Sequence, residues 1–197
     1  MTSDFITGIL VQHEKKFWFK PKIVYDIRFS RGVKERFKEW GIIAFPSRVG
    51  RAFLRDNMVR HKADIAGELS GHIFFKEAYY NELPLLAILR ILNIMVQTGR
   101  NIDELAEPFK TWFNSGEINI ALSVERLAFR EISERLEEKY KDGKIGELDG
   151  ITIEYPNWWF NLRPSNTEPL LRLVVEAKTP ELLKDKVKEI IDEINKK

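Results

Sequence analysis

Apolar and polar positions alternate in two rhythms along the amino-terminal part of the chain. From Ser3, the residues Ile6, Ile9, Leu10 and Phe17 follow helical spacing, and Ser3 is placed to cap that helix. The run Lys22-Ile23-Val24-Tyr25-Asp26-Ile27 is compact and β-branched, which suits a buried strand. Arg31 to Trp40 then predicts a helix closed by Gly41, and Ile42 to Phe45 a second strand ended by Pro46. A helix from about Arg51 to Arg60 leads to a short strand at Asp64-Ile65-Ala66. Strand and helix alternate, which predicts a parallel, three-layer α/β domain with ligands beyond the carboxyl ends of its strands. Leu83 to Val96 is apolar nearly all round, but Arg90 and Asn93 interrupt it. At about 14 residues it is shorter than the roughly 20 that span a membrane, so a helix buried on most sides is expected.

The rhythm changes after Pro108. Gly116 to Leu122 alternates by twos as a half-buried strand does, and Ser123 is placed to cap a helix with Val124, Leu127, Ala128, Ile132 and Leu136 on one face. Asp142-Gly143 and Asp149-Gly150 punctuate short strands as hairpin turns, and Leu170 to Ala177 is the last strand. Thr179-Pro180 opens a final amphipathic helix carrying Leu182, Leu183, Val187, Ile190, Ile191 and Ile194. This half predicts an α+β domain with an antiparallel sheet and helices on one face. The expected domains are residues 1–110 and 111–197, with the boundary near 108–113.

Composition changes the picture mainly by exclusion. A net charge of +2 is too small to make nucleic acid or an anionic membrane the expected partner. The absence of cysteine removes disulfides, thiolate metal sites and a cysteine nucleophile, and fits a reducing compartment. Asp4 stands where a secretory signal needs basic residues, so a soluble, cytoplasmic protein is expected.

Two short segments carry the chemistry. In Gly67-Glu68-Leu69-Ser70-Gly71-His72, an extended backbone would turn Glu68, Ser70 and His72 to one face, where a carboxylate and a hydroxyl suit the hydroxyls of an uncharged ligand moiety. Gly67 and Gly71 would let a ligand approach the backbone. From spacing alone, a surface loop with a turn glycine and a solvated glutamate is the better reading of the same residues. In Arg163-Pro164-Ser165-Asn166-Thr167-Glu168-Pro169, Arg163 offers a fork matched to phosphate oxygens. Ser165, Thr167 and the Asn166 amide add donors, and the turn's own N–H groups can form an anion nest. The bland alternative is a polar connection between strands. Trp158 and Trp159 face opposite ways in a strand, so core packing is expected for at least one. His13 and His61 lack partners for a metal or a triad.

With these segments the chain resembles the α-D-phosphohexomutases, the phosphomannomutase and phosphoglucomutase group, over nearly its whole length. It looks like the third and fourth domains of that four-domain enzyme. Supporting stretches are Ile23-Val24-Tyr25-Asp26, Ser47-Arg48-Val49-Gly50, Ser115 to Asn119 and Trp158-Trp159-Phe160-Asn161. The resemblance implies interconversion of hexose 1-phosphate and 6-phosphate through a bisphosphate that turns round in the site. It assigns Glu68, Ser70 and His72 to the sugar, with Arg28 as a basic residue beside it. Arg163, Ser165, Asn166 and Thr167 then hold the non-reacting phosphate, and mannose or glucose phosphate is the expected ligand. Arg51 stands where relatives often carry His, and Asn81-Glu82-Leu83 replaces a more acidic segment.

The family's phosphoserine loop and its Asp-Gly-Asp-x-Asp-Arg metal loop are not in the sequence, where no two aspartates lie two residues apart. Phosphoryl transfer needs both a phosphoryl donor and a neutralising cation. No catalytic or metal-binding residue is therefore expected here, no cofactor bound by this chain, and Mg²⁺ only in the complete enzyme. The expected role is the sugar- and phosphate-binding carboxy-terminal half of such a mutase, inactive alone. The alternatives are one chain of a split mutase, partnered by a separate amino-terminal half, and a non-catalytic phosphosugar-binding protein.

Overall fold

The computed structural model describes residues 2–121, 126–165 and 168–196, without the side chains of 126–128. It divides into two compact units, Met1–Thr111 and Trp112–Lys197.

In the first unit a sheet runs in the order β2-β1-β3-β4-β5, with β1 Lys22–Asp26, β2 Ile43–Ser47, β3 Ile65–Gly67, β4 Ile73–Phe75 and β5 Asn81–Glu82. β2, β1 and β3 are parallel, whereas β4 and β5 return antiparallel. The sheet is thus mixed, not parallel throughout, because the link from Glu68 to His72 is a tight turn, too short for the crossover a parallel neighbour needs. The helices are α1 Ser3–Glu14, α2 Arg31–Glu39, α3 Arg51–His61, α4 Pro84–Thr98 and α5 Ile102–Ala106. Strand alternation sorts the core into two layers. Ile23, Ile65, Ile73 and Phe75 pack with α1, α2, α4 and α5, and Val24, Ala66 and Phe74 pack with Leu54 and Met58 of α3. The three-layer α/β expectation holds.

Several local expectations shift. Thr2, not Ser3, is the cap position of α1, and Ser3 is its first helical residue. α1 ends at Glu14 in a short 3-10 turn, which leaves Phe17 76% exposed instead of on the helix's apolar face. Pro46 lies inside β2; as an edge strand, β2 tolerates a residue with no N–H. α4 is not buried on most sides: Ala87, Ile91 and Ile94 face the core, while Leu85, Ile88, Leu89, Leu92 and Val96 face outward. Pro84 starts it and Gly99, in the left-handed region, stops it.

The second unit is an antiparallel sheet in the order β6-β10-β9-β8-β7, built from β6 Phe113–Ala121, β7 Lys144–Gly146, β8 Ile151–Glu154, β9 Trp158–Pro164 and β10 Leu170–Ala177. α6 Arg126–Lys139 and α7 Pro180–Ile194 cover one face, burying Ile132, Leu136, Ile190 and Ile194 against the sheet. The Thr179 hydroxyl accepts from Leu182 N and caps α7, as its sequence predicts. The predicted cap Ser123 and the face residues Val124, Leu127 and Ala128 lie outside the described residues and side chains. Asp142-Gly143 joins α6 to β7 instead of closing a hairpin, and Asp149-Gly150 lies in the β7 to β8 connection. Along β9, Trp158, Phe160 and Leu162 enter the helix-side core, whereas Trp159 packs with Trp112 and Val174 on the other face. Both tryptophans are buried, and Trp159 Nε1 donates to Glu176 at 2.7 Å.

Candidate functional site

In the first unit the chemistry gathers beyond the carboxyl ends of the three parallel strands. Arg28 follows β1, Gly50 and Arg51 follow β2, and Glu68 follows β3. Asp26, the fully buried last residue of β1, organises the cluster. Its carboxylate accepts from the Arg28 backbone N at 2.9 Å, from Arg28 Nε at 3.0 Å and from the Leu69 backbone N at 3.2 Å. Arg28 is 5% exposed, and its Nη2 lies 3.9 Å from Glu68 Oε1. Because Asp26 already compensates the guanidinium, the Glu68 carboxylate keeps most of its accepting capacity. Its Oε2 is buried and meets no hydrogen-bond donor among the described residues.

The segment around Glu68 is not extended as expected. Glu68 N donates to His72 O at 2.9 Å and Gly71 N to Glu68 O at 3.0 Å, which folds the segment into a turn between β3 and β4. Period-two alternation therefore does not place Glu68, Ser70 and His72 on one face. Glu68 is buried, Ser70 is exposed at the tip, and His72 Nδ1 lies 2.7 Å from Glu82 Oε2 of β5. Arg51 reaches the same carboxylate, with Nη2 2.6 Å from Glu82 Oε1. The structure thus brings Arg28 to Glu68, and brings His72 together with Arg51 through Glu82. Gly71 has φ 102° and Gly50 φ 126°, values that side chains rarely adopt. Gly67 serves packing instead of ligand approach, since a Cβ there would run into Thr7 and Phe29.

The turn is pinned from α1. The Ser3 hydroxyl lies 2.6 Å from the carbonyl oxygens of both Glu68 and Leu69, which share its single proton. Next to it, Asp4 accepts from Phe5 N and from Ser30 N, the cap residue of α2, while burial pushes its carboxyl pKa up.

In the second unit Arg163, near the end of β9, is 3% exposed and stands directly across from Arg172 of β10. Two cross-strand cations repel one another. Glu117 of β6 lies between them and accepts from Arg163 Nη2 at 3.1 Å and Arg172 Nη1 at 2.9 Å. Glu168 in the connecting loop takes Arg172 Nη2 at 3.0 Å. The Nε atoms of both arginines are buried and meet no acceptor among the described residues. Ser165 N donates to Leu170 O at 2.9 Å and closes the base of the loop. Asn166 and Thr167 lie outside the described residues.

Sequence reading missed Asp26, Glu82, Ser3, Glu117 and Arg172 as parts of these clusters. Asp26, Glu82 and Glu117 lie in stretches compared with the family but carry no assigned role there, and Arg172 left a signal of its own: folding Arg163 to Arg172 as a hairpin sets the two arginines opposite one another. Among the described residues no three His, Asp or Glu side chains gather as a cation would require. No described helix is long and apolar enough to cross a membrane.

Comparison with known proteins agrees with both units. Residues 2–112 match the family model for phosphoglucomutase/phosphomannomutase α/β/α domain III, and residues 92–193 match that for the C-terminal domain. A phosphomannomutase of Methanocaldococcus jannaschii is 44% identical over 96% of this chain, which spans 41% of that relative. A phosphomannomutase/phosphoglucomutase of Pseudomonas syringae is 32% identical over 80% of the chain and 34% of its own length. In fold, a family member from Burkholderia thailandensis aligns with a TM-score of 0.77 at 22% identity, covering 98% of this chain and 41% of that one. The chain therefore spans less than half the length of these relatives, and it belongs to the phosphoglucomutase/phosphomannomutase family of α-D-phosphohexomutases, of which it carries domain III and the C-terminal domain.

Proposed function

We propose that this chain is the sugar- and phosphate-recognising half of a hexose phosphate mutase and has no mutase turnover alone. The observation that carries the reading is hydrogen-bonding capacity left unsatisfied among the described residues at or beside both predicted loops: Glu68 Oε2 in the first unit, Arg163 Nε and, on the adjoining strand, Arg172 Nε in the second. A buried acceptor or donor left unpaired costs about 1–3 kcal/mol, so each is a natural place for a ligand group. Glu68 accepts sugar hydroxyls, with Ser70 and His72 beside it and Arg28 holding the carboxylate in place. Arg163, with Ser165, Asn166 and Thr167, takes the phosphate. Glu168, whose side chain is 55% exposed, is free to swing out when a dianion replaces it at Arg172. Mannose and glucose phosphates are the substrates inferred from the relatives.

The residues present do not fit a catalytic Mg²⁺: the aspartates are scattered along the sequence, and no acidic cluster forms among the described residues. In this reading the cation and the phosphoryl-carrying serine belong to the amino-terminal half of a complete mutase.

Titration of the 197-residue chain with mannose 1-phosphate and glucose 1-phosphate, followed by amide NMR, tests the binding role. Saturable shifts around both Glu68 and Ser165 are expected; their absence up to about 10 mM ligand, a concentration at which even millimolar affinity registers, overturns the reading. A mutase assay of the pure chain tests the second claim, and turnover would refute it.

A further inference from the structure

We propose, on the sugar-binding reading of the turn between β3 and β4, that Glu82 is a positioning residue: its carboxylate holds the His72 ring in the Nδ1–H form and so leaves Nε2 to accept a hydroxyl of the ligand. The turn gains a second acceptor beside Glu68, oriented by two elements of the fold.

The proton between the two groups has one place to sit. His72 Nδ1 lies 2.7 Å from Glu82 Oε2, a hydrogen-bond distance. An ionised carboxylate only accepts, and so does a bare ring nitrogen, so the contact requires the proton on Nδ1. Glu82 Oε2 is buried and meets no other donor among the described residues; a ring turned away would strand it. The second oxygen is engaged by Arg51, whose Nη2 lies 2.6 Å from Oε1. The carboxylate is thus gripped from two sides, by the start of α3 and by the end of the turn.

The backbone brings the pair together before charge acts. Phe74 stands across from Glu82 in the β4–β5 pairing, and His72 precedes Phe74 by two positions, which sets His72 diagonal to Glu82 on the same face. The His72 carbonyl meanwhile accepts from Glu68 N at 2.9 Å. His72 is therefore tied to Glu68 through its backbone and to β5 through its ring, so the ring keeps a set position relative to the Glu68 carboxylate. A neutral imidazole donates through one nitrogen and accepts through the other. With Nδ1 committed to Glu82, Nε2 carries the lone pair, on a side chain that is 36% exposed. Glu68 Oε2 also accepts. Two acceptors on two residues suit a ligand that presents two hydroxyl donors, whereas an ion pair with no such role would leave the ring to its intrinsic preference for Nε2–H.

Nitrogen-15 NMR of the imidazole rings in the full chain tests the tautomer. There are three histidines, and His72→Gln identifies the His72 signals. With the pH raised until the ring shifts stop moving, the parent chain should show His72 protonated at Nδ1 and bare at Nε2. Glu82→Leu, which removes the acceptor, should return the ring mainly to Nε2–H and weaken mannose 1-phosphate binding about tenfold. In a His72→Ala background the same change should leave the affinity within about a factor of two, because Glu82 acts through the ring. A parent His72 protonated at Nε2 overturns the proposal, even where the Leu variant does not fold. So does a Glu82→Leu chain that keeps Nδ1–H, and so does a loss of affinity that persists without His72. If the parent chain binds no mannose 1-phosphate, the sugar-binding reading falls, and the tautomer by itself decides whether Glu82 positions the ring.

Discussion

Replacing Asp26 by Asn tests whether one buried carboxylate holds the sugar-binding turn in place. Asp26 is fully buried, forms a two-pronged ion pair with Arg28 and accepts the backbone N–H groups of Arg28 and Leu69. Removing one member of a buried ion pair costs about 3–5 kcal/mol, because the other charge is left in a medium that solvates it poorly. Asparagine keeps one side-chain acceptor, and Glu68, 3.9 Å from Arg28, remains as a second, weaker anion. The expected loss is therefore at the lower end, about 3 kcal/mol, which corresponds to roughly a hundredfold greater population of the opened unit. Hydrogen exchange read by mass spectrometry is the appropriate assay, since it reports peptides of Met1–Thr111 and Trp112–Lys197 separately and does not require the two units to unfold together. Peptides covering Leu69 and the strands beside it should exchange about a hundred times faster, while those of the second unit keep their rates. Exchange in the first unit within about a factor of two of the parent, equivalent to a few tenths of a kcal/mol, would refute the argument that Asp26 organises the cluster.

Three further outcomes follow from the same structure. Glu68→Gln should change stability by less than about 1 kcal/mol, since Arg28 approaches the carboxylate only to 3.9 Å and is already paired with Asp26, yet weaken hexose phosphate binding at least tenfold by calorimetry or NMR. Gly67→Ala should destabilise the first unit by about 1–3 kcal/mol in urea unfolding, because the new methyl meets Thr7 and Phe29. In the second unit, burial pushes the Glu189 carboxyl up, but hydrogen bonds from Lys186, Lys139 and Tyr140 outweigh it and hold the pKa at about 2. A depressed folded-state pKa contributes stability that is present above the unfolded value of 4.5 and is lost as pH falls toward 2. The side chain is 35% exposed, so solvent screening cuts the contribution to about 1 kcal/mol; Glu189→Gln should remove that much at pH 7 and flatten the acid limb of a stability-versus-pH curve.

The sequence by itself determined most of the architecture, because local periodicity reports which face of each element is apolar. Val24 beside Ile23 and Trp159 beside Trp158 split their strands between two layers, and Thr179-Pro180 and Gly99 mark helix ends through backbone chemistry that acts within a few residues. The two candidate loops were legible for a similar reason: each packs its polar groups into one short run. Tertiary structure alone decided what those groups meet. Glu68 sits by Arg28 because β1 and β3 are neighbours, and Arg28 is neutralised by Asp26, not left free for a phosphate. Arg163 shares Glu117 with Arg172 because β6, β10 and β9 lie side by side, a pairing set by strand order and not by spacing along the chain. The outward face of α4 is the plainest case. An all-apolar helix reads the same in sequence whether its second face is buried or bare, and only the fold, by packing Ala87, Ile91 and Ile94 and leaving Leu85, Leu89, Leu92 and Val96 in water, tells the two apart.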